Sequence, residues 1–123
     1  MLQETTVWIA DTEFDKVVKK ANLVSIFYQL SSHDEDFNGN NGEEYLWDVA
    51  KENGYETNAD YLIADVLKDI KEDEELTQPQ VQKLIDTFLN RWTYNDDYYG
   101  GVDFDFIDKG NVLFVAVAVA REN

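Results

Sequence analysis

The sequence has no cysteine, one proline, one histidine and six glycines in 123 residues. The absence of cysteine excludes disulfides and thiolate metal sites. The single histidine, His33, lies beside Asp34, and no serine near it is marked as an activated nucleophile of a Ser–His–Asp arrangement. There is also no glycine-rich phosphate-binding motif with a lysine. Carboxylate pairs are abundant, but the sequence does not locate an acid–base pair. We therefore expect a protein that is not an enzyme and takes no cofactor.

Long hydrophobic runs are missing too. The longest one, Val112 to Ala120, is far shorter than the roughly 20 residues that a membrane-spanning helix needs. The first ten residues contain Glu4 and lack a basic region followed by an apolar run, unlike a signal peptide. These absences predict a cytoplasmic protein that does not contact a membrane.

Positive charge is scarce. Ten Lys and Arg stand against 26 Asp and Glu, which gives a net charge of −16. Contacts with phosphates depend on Lys and Arg, so direct binding to nucleic acid is disfavoured. A surplus this large opposes folding by self-repulsion and therefore calls for a reason beyond solubility. The chain is nonetheless 44% hydrophobic and 14% aromatic, which indicates one folded domain over residues 1–123 rather than a disordered acidic tail.

Hydrophobic periodicity predicts an α+β domain in which a small antiparallel sheet, made of an N-terminal strand and a C-terminal hairpin, is covered by about four helices. Val112 to Ala120 is apolar on both faces, which is typical of a central strand. Its alanines are expected to face a closely packed helix. The predicted strands are 3–10, 102–107 and 112–120, and the predicted helices are about 13–31, 43–53, 57–72 and 77–92. The apolar stripe predicted for the first helix is Phe14, Val17, Val18, Ala21, Val24 and Phe27, and the one predicted for the last helix is Val81, Leu84, Ile85, Phe88, Leu89 and Trp92.

Several residues predict where these helices begin and end. Thr77 and Gln80 fit a capping box, and Gly54 fits a left-handed position after a helix. Thr57 or Asn58 is expected to cap the third helix. Asn22 offers an alternative, earlier end for the first helix.

The negative charge is concentrated between residues 34 and 75, where fifteen acidic residues and three lysines account for −12 of the −16. Glu44, Asp48 and Glu52 are four residues apart on the second predicted helix, and Asp65 and Asp69 on the third, where Glu72 to Glu75 extend the row. Like charges four residues apart on a helix cost about 0.2–0.5 kcal/mol per pair. Choices that oppose local stability are typical of functional surfaces. The candidate partner-binding carboxylates here are Glu44, Asp48, Glu52, Asp65, Asp69, Glu72, Asp73, Glu74 and Glu75.

Two polar stretches provide further candidates. Asp96, Asp97, Tyr98 and Tyr99 mix carboxylates with a residue type enriched at interface hot spots, although these rings would equally pack over the end of the sheet. The second stretch, residues 34–45, opens like a calcium-binding EF-hand loop. Its candidate ligands are Asp34, Asp36 and Asn38.

The EF-hand pattern breaks down further along this loop. Position twelve is Tyr45 instead of a bidentate glutamate, and position eight is Asn41 instead of an aliphatic residue. A solvated Asx-type turn accounts for the same residues. The metal reading gives one alternative function, a metal-responsive or scaffold interaction domain with a calcium-binding loop near residues 34–45.

The leading hypothesis is an acidic inhibitor whose carboxylates replace phosphates in the nucleic-acid site of a basic nuclease or other nucleic-acid-binding protein. In size and charge the chain is similar to bacterial toxin-immunity proteins. It is equally similar to phage or mobile-element proteins that block host nucleases by imitating DNA, as antirestriction and anti-CRISPR proteins do. The similarity is one of composition and assigns a role to no particular residue. The sequence indicates no oligomeric state.

Overall fold

The computed structural model describes residues 2–15, 17–33, 48–93, 101–107 and 111–122. This part of the chain has three strands and four helical segments, one of which, residues 48–52, is short and is not given a label. The predicted α+β class is confirmed. None of the helices described is long and apolar enough to cross a membrane. The other elements are β1 (Leu2–Glu13), α1 (Lys20–Ser31), α2 (Asn58–Val66), α3 (Gln78–Thr93), β2 (Gly101–Ile107) and β3 (Val112–Glu122).

The three strands form one antiparallel sheet in the order β1-β3-β2, so β3 is central as its two apolar faces predict. Its pairing with β1 runs from Leu2↔Glu122 to Glu13↔Val112, and its pairing with β2 ends at Ile107↔Val112. Asn111, just before β3, has a φ of 53°, a left-handed conformation that asparagine tolerates. Residues 108–110 of the predicted turn lie outside the described part of the chain.

The helices cover the valine face of β3. Val115 and Val117 are fully buried, as is Trp8 on the neighbouring strand, and all three belong to the core shared with the helices. Ala116 is only half-buried on the opposite face. For Ala116, the alanine whose side chain the structure describes, the expectation that it faces a helix is wrong, because the covered face holds bulky side chains that fill the space between the two layers.

The first helix begins later than its periodicity predicts. β1 continues through Glu13, the Phe14 N–H bonds the Asn111 carbonyl at 2.8 Å, and α1 starts only at Lys20. Asn22 does not end this helix but caps its start: its Oδ1 accepts from the Lys19 N–H at 2.8 Å and its Nδ2 donates to the Glu13 carbonyl at 2.6 Å. Pairing with β3 carries the strand to Glu13, and a bridge between Val18 and Leu76 holds the chain out of the helix shortly before α1.

The late start also changes which residues of α1 face the core. Of the predicted stripe, Ala21 is exposed, whereas Val24 is half-buried against the core and Phe27 is fully buried. The other buried positions of α1 are Leu23, Ile26 and Leu30.

The second labelled helix ends early. α2 stops at Val66 rather than near residue 72, and turns follow from Leu67. Leu67 and Leu76 are both buried, and the Leu76 N–H bonds the Val18 carbonyl at 2.8 Å. The chain therefore leaves the helix in order to bring Leu76 to the segment before α1.

The predicted caps are confirmed. The hydroxyl of Thr57 accepts from the Asp60 N–H at 3.0 Å. Gly54 has a φ of 82°, and the N–H of the next residue, Tyr55, bonds the Ala50 carbonyl at 2.9 Å, as in a Schellman motif. The Thr77 N–H bonds Gln80 Oε1 at 2.8 Å, which forms one half of the predicted capping box.

The core centres on stacked aromatic rings from two helices. The rings of Phe27 in α1 and Phe88 in α3 are 4.3 Å apart and nearly parallel, and Trp92 stacks on Phe88 at 5.8 Å. The apolar stripe predicted for α3 is confirmed. Its buried members are Val81, Ile85, Phe88 and Leu89, and Leu84 and Trp92 pack against them.

Candidate acidic interaction surface

The best candidate for a functional surface is the acidic segment, residues 48–75, on the helical side of the sheet. It contains ten carboxylates and three lysines, a local net charge of −7. Asp48 and Glu52 share the short helical segment 48–52, as the sequence predicts. The exposed carboxylates of this segment are Asp48, Glu52, Glu56, Asp69, Glu72, Asp73 and Glu75, while Asp60, Asp65 and Glu74 are partly covered.

The predicted row of Asp65, Asp69 and Glu72 along one helix is not formed. Only Asp65 lies in α2, because the helix ends at Val66 and the other two residues lie in turns. These turns still leave both side chains exposed. The carboxylates are therefore distributed over turns and short helices rather than in a regular line.

Asp65 differs from the other carboxylates because it is ion-paired. Its Oδ2 lies 2.6 Å from Nη1 of Arg91 in α3, and its Oδ1 lies 3.6 Å from Nζ of Lys68. The Arg91 bond lowers the pKa of Asp65 below its ordinary value. Both ion pairs found among the described residues involve this carboxylate. Asp65 therefore joins α2 to α3, whereas no ion pair is found for the exposed carboxylates in the part of the chain described.

Asp60 makes a different contact, with an aromatic hydroxyl. The Tyr28 hydroxyl donates to Asp60 Oδ1 across 32 residues of sequence. This bond, followed by one from Thr57, lowers the pKa of Asp60, and the same bond is the main reason that the pKa of Tyr28 is raised. Asp60 thus stays ionised beside an exposed ring.

Exposed tyrosines are the feature that sequence reasoning missed. Tyr28 is 45% exposed and Tyr55 is 40% exposed, although both side chains are large and mainly apolar. Tyr55 meets Tyr61 edge-on, with ring centroids 5.6 Å apart. Tyr28 lies beside the buried stripe of α1, a position that indicates an exposed side chain. The sequence did not show this, because it placed the start of the helix too early.

Several predicted residues lie outside the described part of the chain, so the structure does not place them. They are the candidate calcium loop at residues 34–45, with Asp34, Asp36 and Asn38, and the partner-binding candidates Glu44, Asp96, Asp97, Tyr98 and Tyr99. Among the residues that are described, no group of three His, Cys, Asp or Glu side chains could hold a metal ion.

The serines near the single histidine make local contacts. The hydroxyls of Ser31 and Ser32 donate to main-chain carbonyls of α1 at 2.8 and 2.6 Å. The His33 ring stacks on Trp8 with centroids 5.6 Å apart, and its Nε2 lies 3.4 Å from the Ile9 carbonyl. The ring thus rests against β1, and these hydroxyls are bonded to the helix.

An open cleft of about 480 Å³ lies where β1 leads into α1. Its wall brings no serine, threonine, cysteine or histidine together with the carboxylates, within the described residues that line it. Those residues are Glu13, Phe14, Asp15, Val17, Lys19, Ala21, Asn22 and Asn111.

Comparisons with known proteins returned nothing similar: no family model matches the chain, and neither a curated protein nor a solved structure matches it significantly.

Proposed function

We propose that this protein is a non-catalytic inhibitor that occupies the nucleic-acid-binding site of a basic enzyme or DNA-binding protein. The observation that carries the proposal is the uncompensated charge of the acidic segment, ten carboxylates against three lysines, most of them exposed. Such a surface attracts a cationic site and repels nucleic acid. Carboxylates would then take the positions that phosphates occupy in the partner's normal complex.

The mechanism is competition. Long-range attraction accelerates the encounter, so the association rate should fall steeply as salt is added. Because surface charges act mainly on specificity and encounter, affinity also needs short-range contacts. The partner is inactive while its nucleic-acid site is covered, and no bond in it is made or broken.

A charge-reversal pair tests whether the acidic segment is the binding surface. The triple variant Glu72→Lys, Asp73→Lys and Glu75→Lys changes three exposed positions in the turns after α2. The control variant Asp11→Lys, Glu13→Lys and Asp15→Lys changes three exposed positions at the end of β1. Each variant raises the net charge by six, from −16 to −10, so the two differ only in where the charge lies.

The assay has two stages. The immobilised wild-type chain is first used to capture proteins from lysate at low salt, and duplex DNA is then added to elute those held through a nucleic-acid site. An eluted protein is identified and purified, and its Kd for each variant is measured. We expect the segment variant to lose most of its affinity and the control variant to keep it. Equal losses in both variants, or captured proteins that DNA does not displace, would contradict the proposal.

The proposal covers two biological roles. One is an anti-defence DNA mimic of the antirestriction or anti-CRISPR kind, and the other is an immunity protein for a nuclease toxin. Both place the protein in the cytoplasm, where the enzyme that it blocks would act. Gene context separates them, since an adjacent toxin gene favours immunity and neighbouring phage genes favour the mimic.

A further inference from the structure

Large apolar side chains are exposed in two places in the described part of the chain. Val7 and Ile9 lie on the open face of the sheet, and Tyr28 and Tyr55 lie on the helical side, among the carboxylates. Tyrosine combines a large apolar ring with a hydrogen-bonding end, which makes it common at the centre of protein interfaces. The second location therefore joins exposed rings to the acidic segment.

Tyr28 and Tyr55 both contact residues in the first turn of α2. Tyr28 of α1 donates its hydroxyl to Asp60 of α2, the next residue is Tyr61, and Tyr61 meets Tyr55 with an interplanar angle of 69°. We call these four residues the tyrosine patch: Tyr28, Tyr55, Asp60 and Tyr61. The contacts fix the rings against α2, so little side-chain freedom remains to be lost when a partner binds.

The chemistry of this patch selects a cation of a particular shape. A planar guanidinium stacks on a tyrosine ring and at the same time pairs with a carboxylate beside it. A lysine ammonium is a compact, strongly hydrated charge that gains less from such a flat surface. Asp60 supplies the carboxylate next to the Tyr28 ring.

We infer that the tyrosine patch is an arginine-binding surface and provides the short-range anchor of the interface. This inference rests on the proposed function and specifies its partner, a protein whose nucleic-acid site presents arginine side chains. The exposed carboxylates of the acidic segment attract the partner from a distance, and the patch holds an arginine once the surfaces meet.

The test compares two defined probes, hexa-arginine and hexa-lysine, at equal ionic strength. Both carry the same charge, so general attraction to the protein cancels in the ratio of their Kd values. We expect the wild type to bind hexa-arginine about fivefold more tightly, an increment that one or two exposed cation–π contacts supply. Ring signals of Tyr28 and Tyr55 should shift in NMR spectra with the arginine probe.

Variants show whether the patch produces that ratio. We expect the double variant Tyr28→Ala and Tyr55→Ala to bring it close to one. Tyr28→Phe, which retains the ring, should keep most of it. The matched control is Val7→Ala with Ile9→Ala, which removes two exposed apolar side chains from the open sheet face and should leave the ratio unchanged. Tyr55→Ala alone, at an exposed turn position, keeps the test valid should the double variant fold poorly.

The outcomes separate this inference from the proposed function. A wild-type ratio near one, or a ratio that survives when Tyr28 and Tyr55 are both replaced by alanine, overturns the arginine-binding patch. The charge-reversed variant of Glu72, Asp73 and Glu75 should weaken binding of both probes alike and leave the ratio intact. Loss of the ratio in that variant would also overturn the inference, because the preference would then come from the turn carboxylates. The proposed function itself stands or falls with DNA-displaceable capture of a partner.

Discussion

The side-chain amide of Gln29 bonds both main-chain groups of Asp11. Its Oε1 accepts from the Asp11 N–H at 3.0 Å, and its Nε2 donates to the Asp11 carbonyl. In the described sheet β1 is an edge strand, so these groups have no strand neighbour on that side. An amide side chain offers the same donor and acceptor as a peptide group, and Gln29 therefore replaces a neighbouring strand at this point. This protects an edge that would otherwise be free to pair with another chain.

Gln29→Ala is expected to destabilise the protein and expose the edge. The two bonds to Asp11 are lost, together with a bond from Gln29 Nε2 to Ser25 Oγ at 3.2 Å. At about 0.5–1.5 kcal/mol each, the two Asp11 bonds alone should lower the free energy of unfolding by about 1–3 kcal/mol. Urea denaturation measures the loss, and light scattering at high concentration reports edge-to-edge association. The matched control is Gln82→Ala, which removes a bond to Asp86 within α3 and should change the free energy of unfolding by only a few tenths of a kcal/mol. Equal effects of both variants would refute the edge-protection role.

The Asp65–Arg91 ion pair gives a pH-dependent prediction. Asp65→Asn should lower the free energy of unfolding at pH 7 by about 0.5–1 kcal/mol, since both partners are partly exposed. Because the Arg91 bond lowers the folded-state pKa of Asp65, its contribution is present above the unfolded pKa of about 3.9 and is lost as the pH falls through the lower folded value. Urea unfolding of wild type and variant should therefore converge in strong acid.

Asp69→Asn is the control for that experiment. It removes one exposed carboxylate, four residues away, which forms no ion pair with a described residue. Its effect on the free energy of unfolding should stay within about 0.5 kcal/mol at every pH. A loss as large as that of Asp65→Asn would mean that general charge, rather than the pair, is responsible.

The Tyr28–Asp60 contact is expected to show itself in tyrosine titration. The hydrogen bond to Asp60 raises the pKa of Tyr28, so the contact stabilises the fold below the unfolded pKa of about 10 and is lost as the pH rises through the higher folded value. Asp60→Asn should move the Tyr28 pKa back toward its ordinary value, which ¹³C NMR of the ring carbon bearing the hydroxyl measures. The Tyr28 signal is identified by its absence from the spectrum of Tyr28→Phe. An unchanged titration in Asp60→Asn would show that the bond is absent in solution.

The stacked rings of Phe27 and Phe88 predict a large core effect. Phe88→Ala should cost about 3–5 kcal/mol, because it leaves a cavity between α1 and α3. Phe88→Leu should cost less than Phe88→Ala, since it keeps most of the volume. Chemical denaturation measures both, and Thr87→Ala, at an exposed position one residue earlier, is the control. A small loss in Phe88→Ala would mean that the rings do not form the centre of the core.

Local signals predicted the parts of this fold that local forces decide. The stripe of α3, the Thr77–Gln80 capping box and the left-handed Gly54 depend on residues within a turn or two of one another. The apolar character of both faces of β3 likewise indicated its central position. The predicted boundaries of α1 and α2 were wrong because the true ones depend on strand pairing with β3 and on the hydrogen bond between Leu76 and Val18.

The candidate surface divides in the same way. The sequence alone fixes its charge and the concentration of that charge in residues 34–75, because both depend on which residues the chain contains and in what order, not on how the chain folds. The folded chain decided which carboxylate forms an ion pair with an arginine, since Asp65 meets Arg91 from 26 residues away. It also decided that Tyr28 meets Asp60 across 32 residues. Contacts at such separations arise when helices pack together, so no local pattern in the sequence encodes them.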